Sequence, residues 1–171
     1  MKRDFQQFLF ICAAWGVCLA VGCTSKGPTR LSDGFQSYET SQEVRNRLSQ
    51  SGMASGWQEE SKGTAASDPR PSYKFLAMSG PFTLSGVEGC LKLTFYNDHL
   101  MSAEFSTESG GEYLRALKEA RINVPAEDRK ETTVDRRTTF RYDTDADGTF
   151  RFSWTDPMLE NEWLKWVRDN S

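Results

Sequence analysis

The chain lacks the residue patterns that mark most enzymes and nucleic-acid-binding proteins. It has a single histidine and no recognisable catalytic or cofactor-binding motif. Its 21 Lys and Arg residues are outnumbered by 24 Asp and Glu residues, which gives a formal net charge of −3. A mildly acidic chain has no basic patch with which to neutralise phosphates. We therefore expect neither a nucleic-acid partner nor an enzymatic activity.

The chain also lacks an apolar run that is long enough to cross a bilayer as a helix. The run Phe8–Val21 has 14 residues, whereas a spanning helix needs ~20. Lys2 and Arg3 precede this run, and it leads into Leu19-Ala20-Val21-Gly22-Cys23. The segment resembles a bacterial lipoprotein signal peptide of the type that signal peptidase II processes. The resemblance implies that the chain is cut before Cys23 and that the Cys23 thiol carries lipid.

This resemblance divides the chain into three parts. Residues 1–22 are expected to be the signal peptide, residues 23–37 a lipidated flexible tether, and residues 38–171 a single α+β domain. Thr24 follows the cysteine where Asp would imply retention in the inner membrane, which favours the outer membrane with the domain facing the periplasm. Ala20 departs from the family pattern, which usually has Leu there. An uncleaved anchor and an ordinary secretory signal stay open as alternatives.

Cysteine is scarce outside this segment. Cys12 and Cys18 lie in the part that is expected to be removed, and Cys23 is expected to be acylated. Cys90 is then the only cysteine with a free thiol, so the mature chain cannot form an intramolecular disulfide. The domain must therefore be held together by packing. Removal of residues 1–22, which carry a net charge of +1, would leave the mature part with a net charge of −4.

After the tether, local signals predict a short helix and a loop. Thr40 and Glu43 form a capping box, in which each side chain satisfies a free backbone N–H of the other residue. A helix is therefore expected over residues 41–51. Residues 52–71 are rich in Gly, Ser, Ala and Pro and are expected to form a long mobile loop, with a short strand around Trp57 as the alternative.

The middle of the chain has the period of two that indicates half-buried strands. Apolar residues alternate from Tyr73, and Gly80-Pro81 is expected to turn the chain. A second alternating stretch, residues 90–96, is followed by Asn97-Asp98, a two-residue hairpin signal because both residues tolerate positive φ. The return strand is expected to continue to Phe105.

The last third of the chain repeats this order of elements. Ser109 and Glu112 form a second capping box before a helix that is expected to reach Ile122. A loop over residues 125–132 is expected next, and then one strand from Val134 to Asp143.

A return strand over residues 150–154 and a helix capped by Asp156-Pro157 complete the chain. We interpret residues 90–121 and 134–168 as two ββα units. The fold class is therefore predicted to be α+β, an antiparallel sheet of hairpins covered on one face by amphipathic helices.

An acidic turn is the sharpest chemical feature. Asp143, Asp145, Asp147 and Gly148 match the first half of a calcium loop, with carboxylates at positions one, three and five and glycine at position six. Position twelve should be a bidentate Glu and is Trp154, and the flanks are strands. Calcium bound by Asp143, Asp145 and Asp147 is one interpretation, and a solvated Asp-Gly turn is the other. No other cofactor is expected.

Two further groups of side chains have a structural and a functional interpretation. Cys90 and His99 could form a nucleophile and base across the hairpin, but a lone strand cysteine is usually a half-buried side chain. Trp154, Trp163 and Trp166 are expected mainly in the core, and the alternative is an aromatic surface for a partner.

The capped helix Ser41–Leu48, followed by a tryptophan and hairpins, resembles small outer-membrane lipoproteins of the SmpA/OmlA (BamE) type. The chain departs from that family's G-M-T-x-x-x-V opening, since Tyr38-Glu39-Thr40 stands there. The resemblance implies a non-enzymatic lipoprotein that is held to the bilayer through Cys23 and binds another envelope protein. The alternative is a small-ligand or calcium-dependent binder that uses the Asp143–Gly148 loop.

Overall fold

The computed structural model of the protein describes residues 27–32, 34–53, 55–126 and 131–171. The predicted signal peptide and the lipidation site at Cys23 lie outside these residues. Within the described ranges the chain forms nine strands and three helices. Their bounds are β1 Arg30–Ser32, β2 Phe35–Gln36, α1 Ser41–Gln50, β3 Gln58–Gly63, β4 Lys74–Leu84, β5 Val87–Tyr96, β6 His99–Thr107, α2 Gly110–Glu119, β7 Glu131–Val134, β8 Thr138–Thr144, β9 Phe150–Thr155 and α3 Pro157–Asn170. None of the helices in these ranges has the length and apolar character that crossing a bilayer requires.

Seven of the strands form one antiparallel sheet in the order β3-β4-β5-β6-β9-β8-β7. At its centre β6 pairs with β9, which joins the two halves of the sheet. Phe105 of β6 stands opposite Phe152 of β9, and both side chains are fully buried. β1 and β2 form a separate two-stranded sheet. The predicted α+β class and the antiparallel sheet of hairpins are confirmed.

The helices lie on both faces of the large sheet. Adjacent strand residues point to opposite faces, so Phe95 and Tyr96 of β5 mark the two sides. Phe95 belongs to the main core with α1 and with Tyr113 and Leu117 of α2. Tyr96 belongs to a smaller cluster with Leu159 of α3. The expectation of helices on one face therefore holds for α1 and α2. The third helix lies on the opposite face because its apolar side meets aromatic residues there.

The segment that was expected to be a tether up to residue 37 is part of the domain from Thr29 onward. Leu31 of β1 and Phe35 of β2 expose only 1% and 2% of their surface, and both belong to the main core. The N–H of Tyr38 also donates to the carbonyl of Leu100 at 3.1 Å. The boundary is therefore corrected to about residue 29. Two apolar side chains in an otherwise polar segment are enough to dock it when the core has room for them.

The predicted turn at Gly80-Pro81 is wrong, because β4 runs straight through it. The neighbouring strand β3 begins at Gln58, which pairs with Ser79. Pro81 therefore lies beyond the β3–β4 pairing, where a missing N–H is tolerated. A Cβ at Gly80 would lie 2.6 Å from Cγ of Trp57, so the glycine makes room for the indole. The long loop predicted over residues 52–71 contains β3, which confirms the alternative of a strand near Trp57.

A hairpin replaces the single strand that was predicted from Val134 to Asp143. β7 pairs with β8, and the chain turns over residues 135–137. Asp135 and Arg136 have φ of 39° and 36°, which is the left-handed region. Val134 stands opposite Thr138 across this hairpin, so the two residues share one face. That shared face is why the sequence resembles one continuous strand.

Other local signals have mixed outcomes. The capping box is confirmed at α1, where the N–H of Glu43 donates to Thr40 Oγ1 at 3.2 Å and the N–H of Thr40 donates to Glu43 Oε2 at 2.7 Å. The Asn97-Asp98 turn is also confirmed, with φ of 48° and 65°. The second capping box is wrong, because the backbone of Ser109 is not extended (ψ 39°) and its side chain makes no capping hydrogen bond.

Candidate functional site

In the acidic turn between β8 and β9, two carboxylates interact with residues that follow them closely in the chain. The carboxylate of Asp145 forms an ion pair with Arg151, and Asp147 Oδ1 accepts from the N–H of Thr149 at 2.9 Å. That hydrogen bond lowers the pKa of the Asp147 carboxyl below its ordinary value. Asp143 belongs to β8 and stands opposite Arg151 in the register. A guanidinium therefore supplies part of the positive charge that the sequence suggested a cation would bring.

The three predicted metal ligands do not form a cation site together. In the part of the chain that the structure describes, no group of three or more His, Cys, Asp or Glu side chains is arranged to hold a metal ion. Asp143 lies within a strand, whereas Asp145 and Asp147 lie in the turn that follows it. The geometry favours the interpretation of a turn that is stabilised by Arg151, and calcium binding there stays a prediction.

The structure does not bring Cys90 and His99 together. Cys90 pairs with Ser106 at one end of the β5–β6 hairpin, and His99 pairs with Tyr96 at the other end. Six residues along a strand correspond to ~20 Å, which is far beyond hydrogen-bond reach. Both side chains are exposed. A Cys–His dyad is therefore excluded for this pair.

The three C-terminal tryptophans are divided between the faces of the sheet. Trp154 exposes 3% of its surface and stacks on Phe140 in the main core, with ring centroids 4.9 Å apart. Trp163 and Trp166 of α3 are half-buried on the opposite face, and both contact the ring of Tyr73. Core packing is confirmed for Trp154, while the other two form a partly exposed aromatic cluster.

A buried ion pair ties three distant parts of the chain together. Asp156, which caps α3, is fully buried and accepts two hydrogen bonds from Arg137, at 2.9 Å from Nε and 2.6 Å from Nη2. Its Oδ1 also accepts from the N–H of Met158 at 2.9 Å. Burial would raise the pKa of this carboxyl, but the hydrogen bonds from Arg137, Ser37 and Met158 outweigh that effect and lower it. The pair therefore joins the β7–β8 turn, α3 and the N-terminal segment.

A second polar network fastens β1 to the same turn. The hydroxyls of Thr29 and Thr138 lie 2.8 Å apart, and the N–H of Arg30 donates to Asp135 Oδ2 at 2.7 Å. The Arg30 hydrogen bond lowers the pKa of the Asp135 carboxyl, aided by a hydrogen bond from Thr29 and by the charges of Arg136 and Arg30, and opposed by desolvation. This network fixes one wall of a cleft.

The cleft lies between β1, the end of α2 and β7, and has a volume of about 440 Å³. Its floor consists of residues from the main core, each at most 3% exposed: Leu31, Tyr113, Leu117 and Trp154. Half-buried Ile122 and Val134 add apolar surface to the walls. Small-molecule sites are typically concave, apolar and about 300–1,000 Å³. The size and lining of this cleft match that description.

One rim of the cleft is built by the way in which α2 ends. The N–H of Ile122 donates to the carbonyl of Leu117 at 2.9 Å, and the N–H of Arg121 donates to that of Lys118 at 3.0 Å. This is a Schellman motif, whose left-handed position is usually glycine. Here that position is Arg121, with φ of 57°. A side chain in this conformation costs of order 1 kcal/mol, and such outliers cluster at functional sites.

One residue that lines the cleft carries a buried polar atom without a partner. Ser32 is 95% buried, and its Oγ makes no hydrogen bond with any residue in the described ranges. Among the described residues only one other buried side-chain atom is in this state, Nε1 of Trp57. A buried hydroxyl without a partner costs about 1–3 kcal/mol. Ser32 is therefore a residue beside the cleft whose hydroxyl the described part of the chain leaves unsatisfied.

Sequence reasoning missed this cleft because its three walls come from distant parts of the chain. The sequence carries no local signal for it, since helices commonly end without glycine.

Comparison of the chain with protein-family models, with curated proteins and with solved structures found no match in any of the three.

Proposed function

We propose that the protein is a non-enzymatic lipoprotein of a bacterial envelope. The signal peptide is residues 1–22, Cys23 is acylated, and the anchor lies in the outer membrane with the domain facing the periplasm. The support is the sequence from Lys2 to Cys23 and the Thr that follows it. The domain then acts as a binding module for another envelope protein.

The observation that carries this proposal is where the folded domain begins. Thr29 is already tied to the β7–β8 turn, and it follows Cys23 by only six residues. A fully extended residue spans at most ~3.6 Å, so six residues reach no further than ~22 Å. A domain that starts this close to an acylated residue is held against the bilayer surface. The partner is therefore a protein that reaches or lies in the same membrane.

The surface that best suits a protein partner is the open face of the sheet beyond α3. Residues of β5, β6, β8 and β9 that point away from the main core, among them Lys92, Glu104, Arg141 and Arg151, form a broad charged surface. Non-obligate interfaces are about as polar as the rest of a protein surface, and they are enriched in Arg. The alternative of a calcium-dependent binder has less support, because Asp145 is already paired with Arg151 and the described residues contain no group of three side chains arranged to hold a metal ion.

Metabolic labelling with a fatty-acid analogue tests the anchor. The wild type should be labelled and Cys23→Ser should not, whereas Cys90→Ser is the matched control and should be labelled like the wild type. Equal labelling of Cys23→Ser and the wild type would refute acylation at that residue.

Cross-linking in intact envelopes, followed by a pull-down, tests the partner. A stoichiometric partner protein should be recovered with the wild type and lost with Lys92→Glu on the open sheet face. Arg115→Glu, a charge reversal of the same size on the exposed side of α2, should recover it. Recovery of no protein, or equal recovery with all three chains, would contradict the proposed role of this face.

A further inference from the structure

The cleft between β1, α2 and β7 combines features that a purely structural groove would not need. Its floor is apolar, two arginines line it, and Ser32, which also lines it, has a buried hydroxyl with no partner among the described residues. We propose that this cleft is a binding site for a single-chain amphipathic anion, whose apolar part lies in the cleft and whose carboxylate or phosphate head binds Arg30 and Arg121. The inference does not rest on the proposed anchor or protein partner.

The rim supplies the charge that selects an anion. The guanidinium of Arg121 makes no hydrogen bond or ion pair with any residue in the described ranges. That of Arg30 lies close enough to Asp135 to lower the pKa of that carboxyl, but this carboxylate already accepts from the Arg30 N–H and from the Thr29 hydroxyl. Among the described residues that line the cleft, two arginines and one engaged carboxylate give a net positive charge. Hydrogen bonds between arginine and carboxylate or phosphate are among the strongest in proteins.

The wall and the floor supply the apolar part. Ile122 and Val134 are half-buried with apolar surface towards the cleft, above a floor that is sealed by core residues. An apolar chain that replaces water here removes hydrocarbon surface from solvent on both sides. A free inorganic anion would gain nothing from these walls, and a neutral alkane would gain nothing from the arginines.

Substitutions at Ser32 and Arg121 distinguish a role in ligand binding from a role in the stability of the fold. The Ser32 hydroxyl is unsatisfied, so its removal costs the fold no hydrogen bond. Arg121 occupies a left-handed position that glycine adopts freely, so Arg121→Gly relieves backbone strain. If the two residues served the fold, their replacement would lower stability. If they serve a ligand, replacement lowers affinity and leaves stability unchanged or higher.

Calorimetric titration of the full chain tests this inference. The chain carries Cys23→Ser, so that no acyl chain on that residue can occupy the cleft. The probes are octanoate, octyl phosphate and the neutral octanol. Both anions should bind, and octanol should bind at least about tenfold more weakly, because a charge-assisted hydrogen bond corresponds to about that factor. Octanol binding as tightly as octanoate would overturn the proposal.

Three variants locate the site. Arg121→Gly should weaken octanoate binding at least about tenfold, and Ser32→Ala about two- to tenfold, with no fall in the denaturation midpoint of either. Arg115→Ala removes the same charge from a position on α2 outside the cleft and should leave the affinity unchanged. Loss of affinity in Arg115→Ala equal to that in Arg121→Gly, or lower midpoints in Arg121→Gly and Ser32→Ala, would overturn the proposal.

A vesicle assay with the same chain identifies the source of the anion. Binding of octanoate in solution identifies a free amphiphile. Retention on phosphatidylglycerol vesicles that exceeds retention on phosphatidylcholine vesicles, and that is lost in Arg121→Gly, identifies a lipid of the bilayer. The absence of both binding to the soluble anions and Arg121-dependent retention would overturn the proposal.

Discussion

Replacement of Asp156 tests how the described parts of the domain hold together. This carboxylate is fully buried between Arg137 and the first turn of α3, and the side chain of Arg137 is only 16% exposed. Removing one partner of a buried ion pair typically costs about 3–5 kcal/mol, because the other buried charge loses a large part of its favourable interactions. Asp156→Asn keeps an oxygen that can cap α3, so it tests the ion pair alone. We expect it to lower the free energy of unfolding by about 3 kcal/mol.

Asp156→Ala separates the helix cap from the ion pair. It removes the oxygen that accepts from Met158 as well as the charge, and a lost cap costs about 1 kcal/mol more. The free energies are measured by urea denaturation followed by tryptophan fluorescence. Glu131→Gln is the matched control, because Glu131 and Arg141 form an ion pair that is 56% and 54% exposed. A surface pair contributes about 0–1 kcal/mol, so this variant should differ little from the wild type.

The same ion pair predicts a direction for the pH dependence of stability. The pKa of Asp156 is lowered in the folded state, so its contribution is complete above the unfolded pKa of ~3.9 and disappears as the pH falls through the folded value. The difference between wild type and Asp156→Asn should therefore shrink below about pH 4. A loss in Asp156→Asn of under about 0.5 kcal/mol at pH 7 would refute the reasoning, since that is the scatter of surface substitutions. An unchanged difference at low pH would also refute it.

Three further predictions concern single positions. A Cβ at Gly110 would lie 1.9 Å from an aromatic ring of β9, whereas a Cβ at Gly111 would meet nothing within 4 Å. Gly110→Ala should therefore lower the melting temperature, and Gly111→Ala should raise or preserve it. Equal effects of the two substitutions on the melting temperature would contradict this packing. Trp163→Ala should lower the free energy of unfolding in urea by about 2–3 kcal/mol, because its half-buried ring contacts four other aromatic rings. Leu164→Ala should lower it by under about 0.5 kcal/mol, because Leu164 is 52% exposed. An unchanged free energy in Trp163→Ala would assign that residue to the surface. Calorimetric titration with calcium should give no heat below millimolar concentrations, and a micromolar isotherm that Asp145→Asn abolishes would prove otherwise.

The sequence predicted those elements whose signals are contained within a few residues. The capping box of Thr40 and Glu43 and the turn at Asn97-Asp98 depend on hydrogen bonds and φ values that neighbours in the chain determine. Where the same residue type serves packing instead, the prediction failed. Gly80 resembles a turn residue, but its missing Cβ accommodates Trp57 from another strand. The difference is invisible locally, because a turn and a close contact favour the same amino acid.

The candidate sites also differ in whether their residues are neighbours in the sequence. The acidic turn was found because its three carboxylates lie within five consecutive residues, although its pairing with Arg151 depends on the return of β9. The cleft was missed because Ser32 precedes Arg121 by 89 residues and Val134 by 102 residues, so the three residues meet only in the folded domain.

By itself the sequence predicted a membrane address, and its periods of two and 3.6 determined an α+β domain of antiparallel hairpins. The tertiary structure alone decided that β6 lies beside β9, that Leu31 and Phe35 bring the N-terminal segment into the core, and that α3 packs on the opposite face from α2. The physical reason is that caps, turns and strand periodicity arise from interactions between near neighbours. Pairing across the sheet and the shape of a cleft are instead chosen by the burial of side chains that are distant in the chain.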